Sequence, residues 1–214
     1  MLLIKGKIFS YMLGACWGLS ITPASADVPQ VATDIPPVHS LVSQVMGDLG
    51  TPKLIVPPGT SPHGYAMRPS EARALQNADV TFWMGPDLTP WLGRAIKSLT
   101  GHAINVALSN SEGLVRHPFR TGATFDSHDH HDHGDHGDEH EGLDPHLWLD
   151  PDNARILLGV ISSTLAGLDP THADTYRANA AQAKKAIAAL THELDTALQP
   201  IPGRSFIVFH DAYQ

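Results

Sequence analysis

Val80-Thr81-Phe82-Trp83-Met84, then Pro90-Trp91-Leu92-Gly93-Arg94-Ala95-Ile96-Lys97-Ser98-Leu99, then Ala103-Ile104-Asn105-Val106-Ala107-Leu108 decide the fold. The first and last runs are short and apolar, as buried strands are. The middle run opens on a proline, which suits the first position of a helix, where no N–H is needed. A strand, a helix and a second strand make a crossover, and a crossover lays the two strands parallel. The pattern continues toward the N-terminus: residues 28–33 and 53–56 read as strands, 37–46 and 70–77 as helices. A loop rich in proline and glycine, 57–69, follows the second strand. The expected fold class is α/β, a parallel-sheet lobe with flanking helices.

Two helices follow with matching starts. Asp150-Pro151 and Asp169-Pro170 each set a capping acceptor before a proline. The first helix is predicted to run to about Ala166, before Gly167. The second is predicted to run to about Gln199, with Tyr176, Ala183, Ile187, Leu190, Leu194 and Leu198 at helical spacing. Lys184, Lys185, Glu193 and Asp195 form its solvated face. Pro200 and Pro202 end it, and residues 205–209 read as a new buried strand.

The chain has 214 residues, a formal net charge of -8 and 14 histidines. That charge is the wrong sign for a nucleic-acid binder. Lys5 and Lys7, the apolar stretch 8–21 and Ala24-Ser25-Ala26 have the form of a secretory signal, so residues 1–26 are expected to be removed and the rest exported to the periplasm. Leu13-Gly14-Ala15-Cys16 offers the alternative of a lipoprotein anchored at Cys16. Apolar residues run on through Trp17, Leu19 and Ile21, which favours cleavage after Ala26. The chain would then keep no cysteine, leaving nitrogen and oxygen as metal ligands.

Six histidines, His128, His130, His131, His133, His136 and His140, stand among acids in thirteen residues, and no Lys or Arg occurs from Thr121 to Ala154. Such a segment has little apolar surface to bury, so 121–143 is predicted to be a disordered loop. Its imidazoles and carboxylates suit an accessory role, collecting a borderline cation in many alternative ways. Three other histidines are more informative. His63 lies in the loop after the second strand, His146 just before the helix opened by Asp150-Pro151, and His210 directly after Phe209. Ligands of parallel sheets bind beyond the carboxyl ends of strands, where His63 and His210 fall. His39, His102, His117, His172 and His192 have no motif around them and read as helix, strand-end or surface residues.

Pro62-His63-Gly64-Tyr65-Ala66-Met67-Arg68-Pro69-Ser70, Asp144-Pro145-His146-Leu147-Trp148-Leu149-Asp150-Pro151 and Phe209-His210-Asp211-Ala212-Tyr213 closely resemble the metal-binding solute receptors of zinc and manganese importers. The resemblance implies two α/β lobes joined by a long rigid helix, with the metal between them. Residues 27–168 would be the first lobe, 169–199 the linking helix and 200–214 the start of a truncated second lobe. His63 and His146 would be ligands from the first lobe and His210 from the second. Manganese-type receptors resemble one another in a carboxylate at that third position, whereas zinc-type receptors have histidine. Three imidazoles suit Zn²⁺.

Some zinc-type members carry an acid just before the first histidine, where this chain has Pro62. A fourth ligand would therefore be water or an acid of the second lobe. The function implied is a monomeric receptor that passes Zn²⁺, its transported substrate, to the permease of an ABC-type importer. Two alternatives remain at this point: a zinc buffer acting through the histidine tract, and a zinc hydrolase. The hydrolase is disfavoured by the lack of an HExxH or a nucleophile elbow.

Overall fold

The computed structural model describes residues 27–119, 143–201, 203–205, 207, 208, 212 and 213. Strands β1 (Val31–Thr33), β2 (Lys53–Leu54), β3 (Val80–Trp83) and β4 (Ile104–Ala107) form one sheet in the order β2-β1-β3-β4, parallel throughout. Helices α1 (Pro36–Met46), α2 (Pro69–Gln76) and α3 (Pro90–Leu99) make the crossovers, followed by α4 (Pro151–Leu168) and α5 (Ala173–Leu198). Each of α1 to α4 opens on a proline, as read from the sequence for α3 and α4, whereas α1 starts at Pro36, one residue before the expected Pro37, and α2 at Pro69, the expected end of the preceding loop. The chain bends after Leu54, yet Ile55 N and Val56 N still donate to Thr33 O (2.9 Å) and Asp34 O (2.8 Å), so the β2 pairing extends to Val56.

The central strands β1 and β3 are buried on both faces, and strand alternation divides their side chains between them. Val31, Val80 and Phe82 join α1, α4 and α5 in one core, against Val38, Val42, Leu157, Leu158, Ile161 and Tyr176. Ala32 and Trp83 face the other way, onto Leu75 of α2 and Leu92 and Ile96 of α3. The carboxyl ends of β1 and β3 are tied through Asp34, which is fully buried. Its carboxylate accepts from Ile35 N at 2.8 Å and Met84 N at 2.7 Å. Burial outweighs those two bonds and pushes its pKa up to about 7.

The corner between α4 and α5 is also built on a buried carboxylate. Asp169 accepts from Tyr176 Oη at 2.9 Å and from His172 Nδ1 at 2.6 Å. Burial pushes Asp169 upward, but the bonds from His172 and Tyr176 prevail and hold its pKa below the usual value. The first half of α5 belongs to the same core as the sheet, since Tyr176, Ala180 and Ala183 are buried there. Further along, its apolar stripe comes into the open. Leu190, Leu194 and Leu198 are about half exposed.

One expectation is corrected. No strand forms at the described residues of 205–209, which are Ser205, Ile207 and Val208, and Ile207 is wholly exposed. A strand exists only through ladder bonds to a neighbour, and none of these three pairs with β2 or β4, the described edges of the sheet. The signal segment 1–26 lies outside the described residues, as do His128, His130, His131, His133, His136, His140 and His210. Leu143, the last residue of the expected loop, forms an isolated antiparallel bridge with Pro118. No described helix is long and apolar enough to cross a membrane.

Candidate metal centre

His146 is the better anchored of the two described motif histidines. It precedes a 3₁₀ turn, Leu147–Leu149, that runs into α4, whose cap Asp150 accepts from Asp152 N at 2.7 Å. The His146 Nδ1–H donates to Asp144 Oδ1 at 2.6 Å, and the same oxygen accepts from His146 N at 3.0 Å. Both side chains are less than a tenth exposed. A carboxylate on Nδ1 selects the tautomer whose Nε2 carries the lone pair, and it fixes the ring plane, as the outer partners of metal-bound histidines do. Trp148 adds an edge-on ring contact, with centroids 5.3 Å apart.

Asp144 is itself placed by its backbone, whose N–H donates to His117 O at 2.8 Å beside the Pro118–Leu143 bridge. Asn153, on the first turn of α4, pairs with both backbone groups of Val115 at 2.8 and 2.9 Å, holding the segment after β4 against the helix.

His63 lies on the exposed loop between β2 and α2. Its neighbours are tied to helices on either side. Pro62 O accepts from Trp91 Nε1 at 2.8 Å, and the Tyr65 ring meets the Trp91 ring edge-on at 5.7 Å. Tyr65 Oη donates to both oxygens of Glu71 at 2.9 Å, and Glu71 Oε2 also accepts from Arg68 N at 2.7 Å.

These ties bring His63 against His146, with ring centroids 5.7 Å apart and planes at 69°. That spacing tests whether the pair suits zinc. Two imidazoles on one tetrahedral ion, with Zn–N of about 2.0–2.1 Å, place their centroids roughly 5.2 Å apart. A shift of a few tenths of an ångström in each ring closes the difference. The spacing alone leaves room for one ion between the two imidazoles.

Among the described residues no group of three or more His, Cys, Asp or Glu gathers to hold a metal. His210 lies outside them, but Ala212 and Tyr213 line a cavity of about 380 Å³ together with Asp144 and His146. Of the remaining histidines, His39 Nε2 bonds Pro52 O at 3.2 Å and His172 bonds Asp169, structural roles that agree with their lack of a motif. Sequence reasoning named Asp144 only as part of a motif. Its place two residues before His146 was the local signal for an orienting carboxylate. Trp91 carried no such signal, since it reaches Pro62 across 29 residues.

A family model described as "Zinc-uptake complex component A periplasmic" matches residues 31–214. A "High-affinity zinc uptake system protein ZnuA" of Paracoccus denitrificans is 45% identical over 95% of this chain and 68% of its own length. The protein of the same name from Brucella abortus is 39% identical over 86% of this chain and 62% of its own length. The chain thus spans about two thirds of these relatives. Among solved structures, a ZnuA deletion mutant with zinc bound superposes with a TM-score of 0.71 at 28% identity, over 87% of this chain and 64% of the other. The family is one of solute-binding receptors and not of enzymes. With the family model matched from residue 31 to residue 214, the chain belongs to the family of periplasmic zinc-uptake component A proteins.

Proposed function

We propose that the chain captures Zn²⁺ in the periplasm and delivers it, as a monomer, to the permease of an ABC-type importer. His63, His146 and His210 are the protein ligands in this reading, and the ion is cargo. The observation that carries it is the His63–His146 pair, 5.7 Å apart, with the Asp144 carboxylate on the Nδ1 of His146. Neutral imidazoles favour Zn²⁺ over the oxygen-seeking Mn²⁺. The relatives named for zinc uptake and the zinc-bound neighbour support the same ion.

His128, His130, His131, His133, His136 and His140 act as an accessory collector. Support comes from the ends of their segment, because the Pro118–Leu143 bridge sets both beside Asp144. A tethered ligand at such range has an effective concentration of about a millimolar, which favours transfer to the tight site over loss to bulk.

Zinc titration of the full chain against a competing chelator tests this. One tight equivalent, weakened more than roughly a hundredfold by His63→Ala, is expected, since a ligand matters more than its outer partner. Weak multi-site binding that disappears only when the six tract histidines are changed to asparagine would make the protein a buffer instead. Zinc-dependent ester or amide turnover would revive the hydrolase.

A further inference from the structure

The two described histidines are held in very different ways. His146 is buried, bonded to a carboxylate and continuous with a helix. His63 stands, itself exposed, on a mostly exposed loop, 57–68, that contains Gly64 and Gly59, the latter at φ 78°. A ligand on such a segment loses conformational freedom when the ion arrives, and that loss is subtracted from the affinity unless the fold has already removed it.

Trp91 sits where it can remove that freedom. It occupies the first turn of α3, just after Pro90, and its ring packs against both cores of the lobe. From this fixed base the indole makes two contacts that bracket His63. Its N–H donates to the carbonyl of Pro62, one residue before, at 2.8 Å, and its ring meets that of Tyr65, two residues after. Neither contact touches the imidazole.

We propose that Trp91 is a positioning residue for zinc capture, a strap that holds the His63 backbone in its metal-binding position before the ion arrives. This rests on the assignment of His63 as a ligand. It also gives Pro62 a role. The carbonyl before the histidine serves as the strap's anchor, at the position where some zinc-type receptors carry an acid.

The test is a double-mutant cycle on the full chain, with the six tract histidines changed to asparagine so that the tight site alone is read. Trp91→Phe keeps an aromatic ring beside Tyr65 and deletes the N–H. Zinc affinity is measured by chelator competition for the parent, Trp91→Phe, His63→Ala and the double variant. A neutral hydrogen bond corresponds to a factor of roughly five in an equilibrium constant, and because this one exists with and without zinc that factor is an upper bound, so Trp91→Phe should weaken zinc binding between about two- and fivefold. In the His63→Ala background the same change should have less than about a twofold effect, because there is no ligand left to position.

An equal loss on both backgrounds overturns the proposal, since that is how a general loss of structure behaves. Native affinity in Trp91→Phe beside a weakened His63→Ala also overturns it, and leaves the ligand assignment standing. Native affinity in His63→Ala overturns the assignment and the strap together. If Trp91→Phe fails to fold, Trp91→benzothienylalanine, which replaces N–H by sulfur in the same shape, gives the same reading.

Discussion

Replacing Asp144 separates the stability of the site from its affinity. The carboxylate receives the His146 Nδ1–H at 2.6 Å and the His146 backbone N–H at 3.0 Å, and both side chains are less than a tenth exposed. Solvent screens such a pair little, so its loss in Asp144→Ala should lower the stability of the zinc-free chain by about 1–3 kcal/mol. The affinity change is a different quantity, because the bond exists before and after zinc binds. Only its strengthening counts, as the imidazole takes on positive charge from the ion. Orientation of the ring adds to that term. Outer partners of metal-bound histidines are worth roughly 10- to 100-fold in affinity. Asp144→Asn keeps an acceptor oxygen but loses the charge, so it should fall near tenfold. Asp144→Ala, which also frees the ring, should approach a hundredfold.

Chelator competition gives the affinities, in a chain whose tract histidines are asparagine, and urea unfolding of the zinc-free protein gives the stabilities. A loss of stability with native zinc affinity in Asp144→Ala would refute the orienting role and reduce the pair to a structural contact.

Two further outcomes concern the frame around the site. Asp34 has a folded-state pKa raised by burial to about 7 from the ordinary aspartate value of 3.8, so the folded chain holds the extra proton between those values. Its contribution to stability is therefore present below about pH 4 and lost as pH rises toward 7, a change of roughly 4 kcal/mol at about 1.4 kcal/mol per pKa unit. The difference in urea stability between native protein and Asp34→Asn, followed from pH 4.5 to 7.5, should show this slope, and parallel curves would exclude it. Asp169 has the opposite sign. Its lowered pKa gives a contribution present above the ordinary carboxylate range and lost as pH falls through the folded value. Asp169→Ala leaves the buried Tyr176 hydroxyl without this acceptor and removes the side-chain cap of the 3₁₀ turn Pro170–His172 that leads into α5, which should cost about 2–3 kcal/mol in urea unfolding at neutral pH. A cost below about 0.5 kcal/mol would show that this corner does not depend on the carboxylate.

The elements of the lobe were legible because their signals are local. Proline at the first helical position marked α1, α3 and α4 within a residue or so, since its ring fixes φ and lacks only an N–H that the helix leaves unpaired there. Strands buried on both faces wrote themselves as the short apolar runs at β1 and β3. Residues 205–209 share that composition and form no strand at their described positions, because apolar character does not supply a pairing partner. The periodic stripe of α5 likewise foretold a helix, but not that Leu190, Leu194 and Leu198 would lie half exposed while Tyr176 is buried. Periodicity defines a face. What covers that face is settled by elements distant in the chain.

The same division runs through the site. Sequence alone determined the α/β class and nominated His63, His146 and His210 through their motifs, with Asp144 named only as part of the second motif, because each signal is written in consecutive residues. Only the tertiary structure decided that the two rings lie 5.7 Å apart, that Asp144 turns inward onto Nδ1, and that Trp91 of α3 holds Pro62. The first and last of those contacts join residues tens of positions apart. Their geometry depends on the parallel sheet, whose carboxyl edge gathers the β2 loop and the start of α3 at one end of the lobe, beside the segment that opens α4.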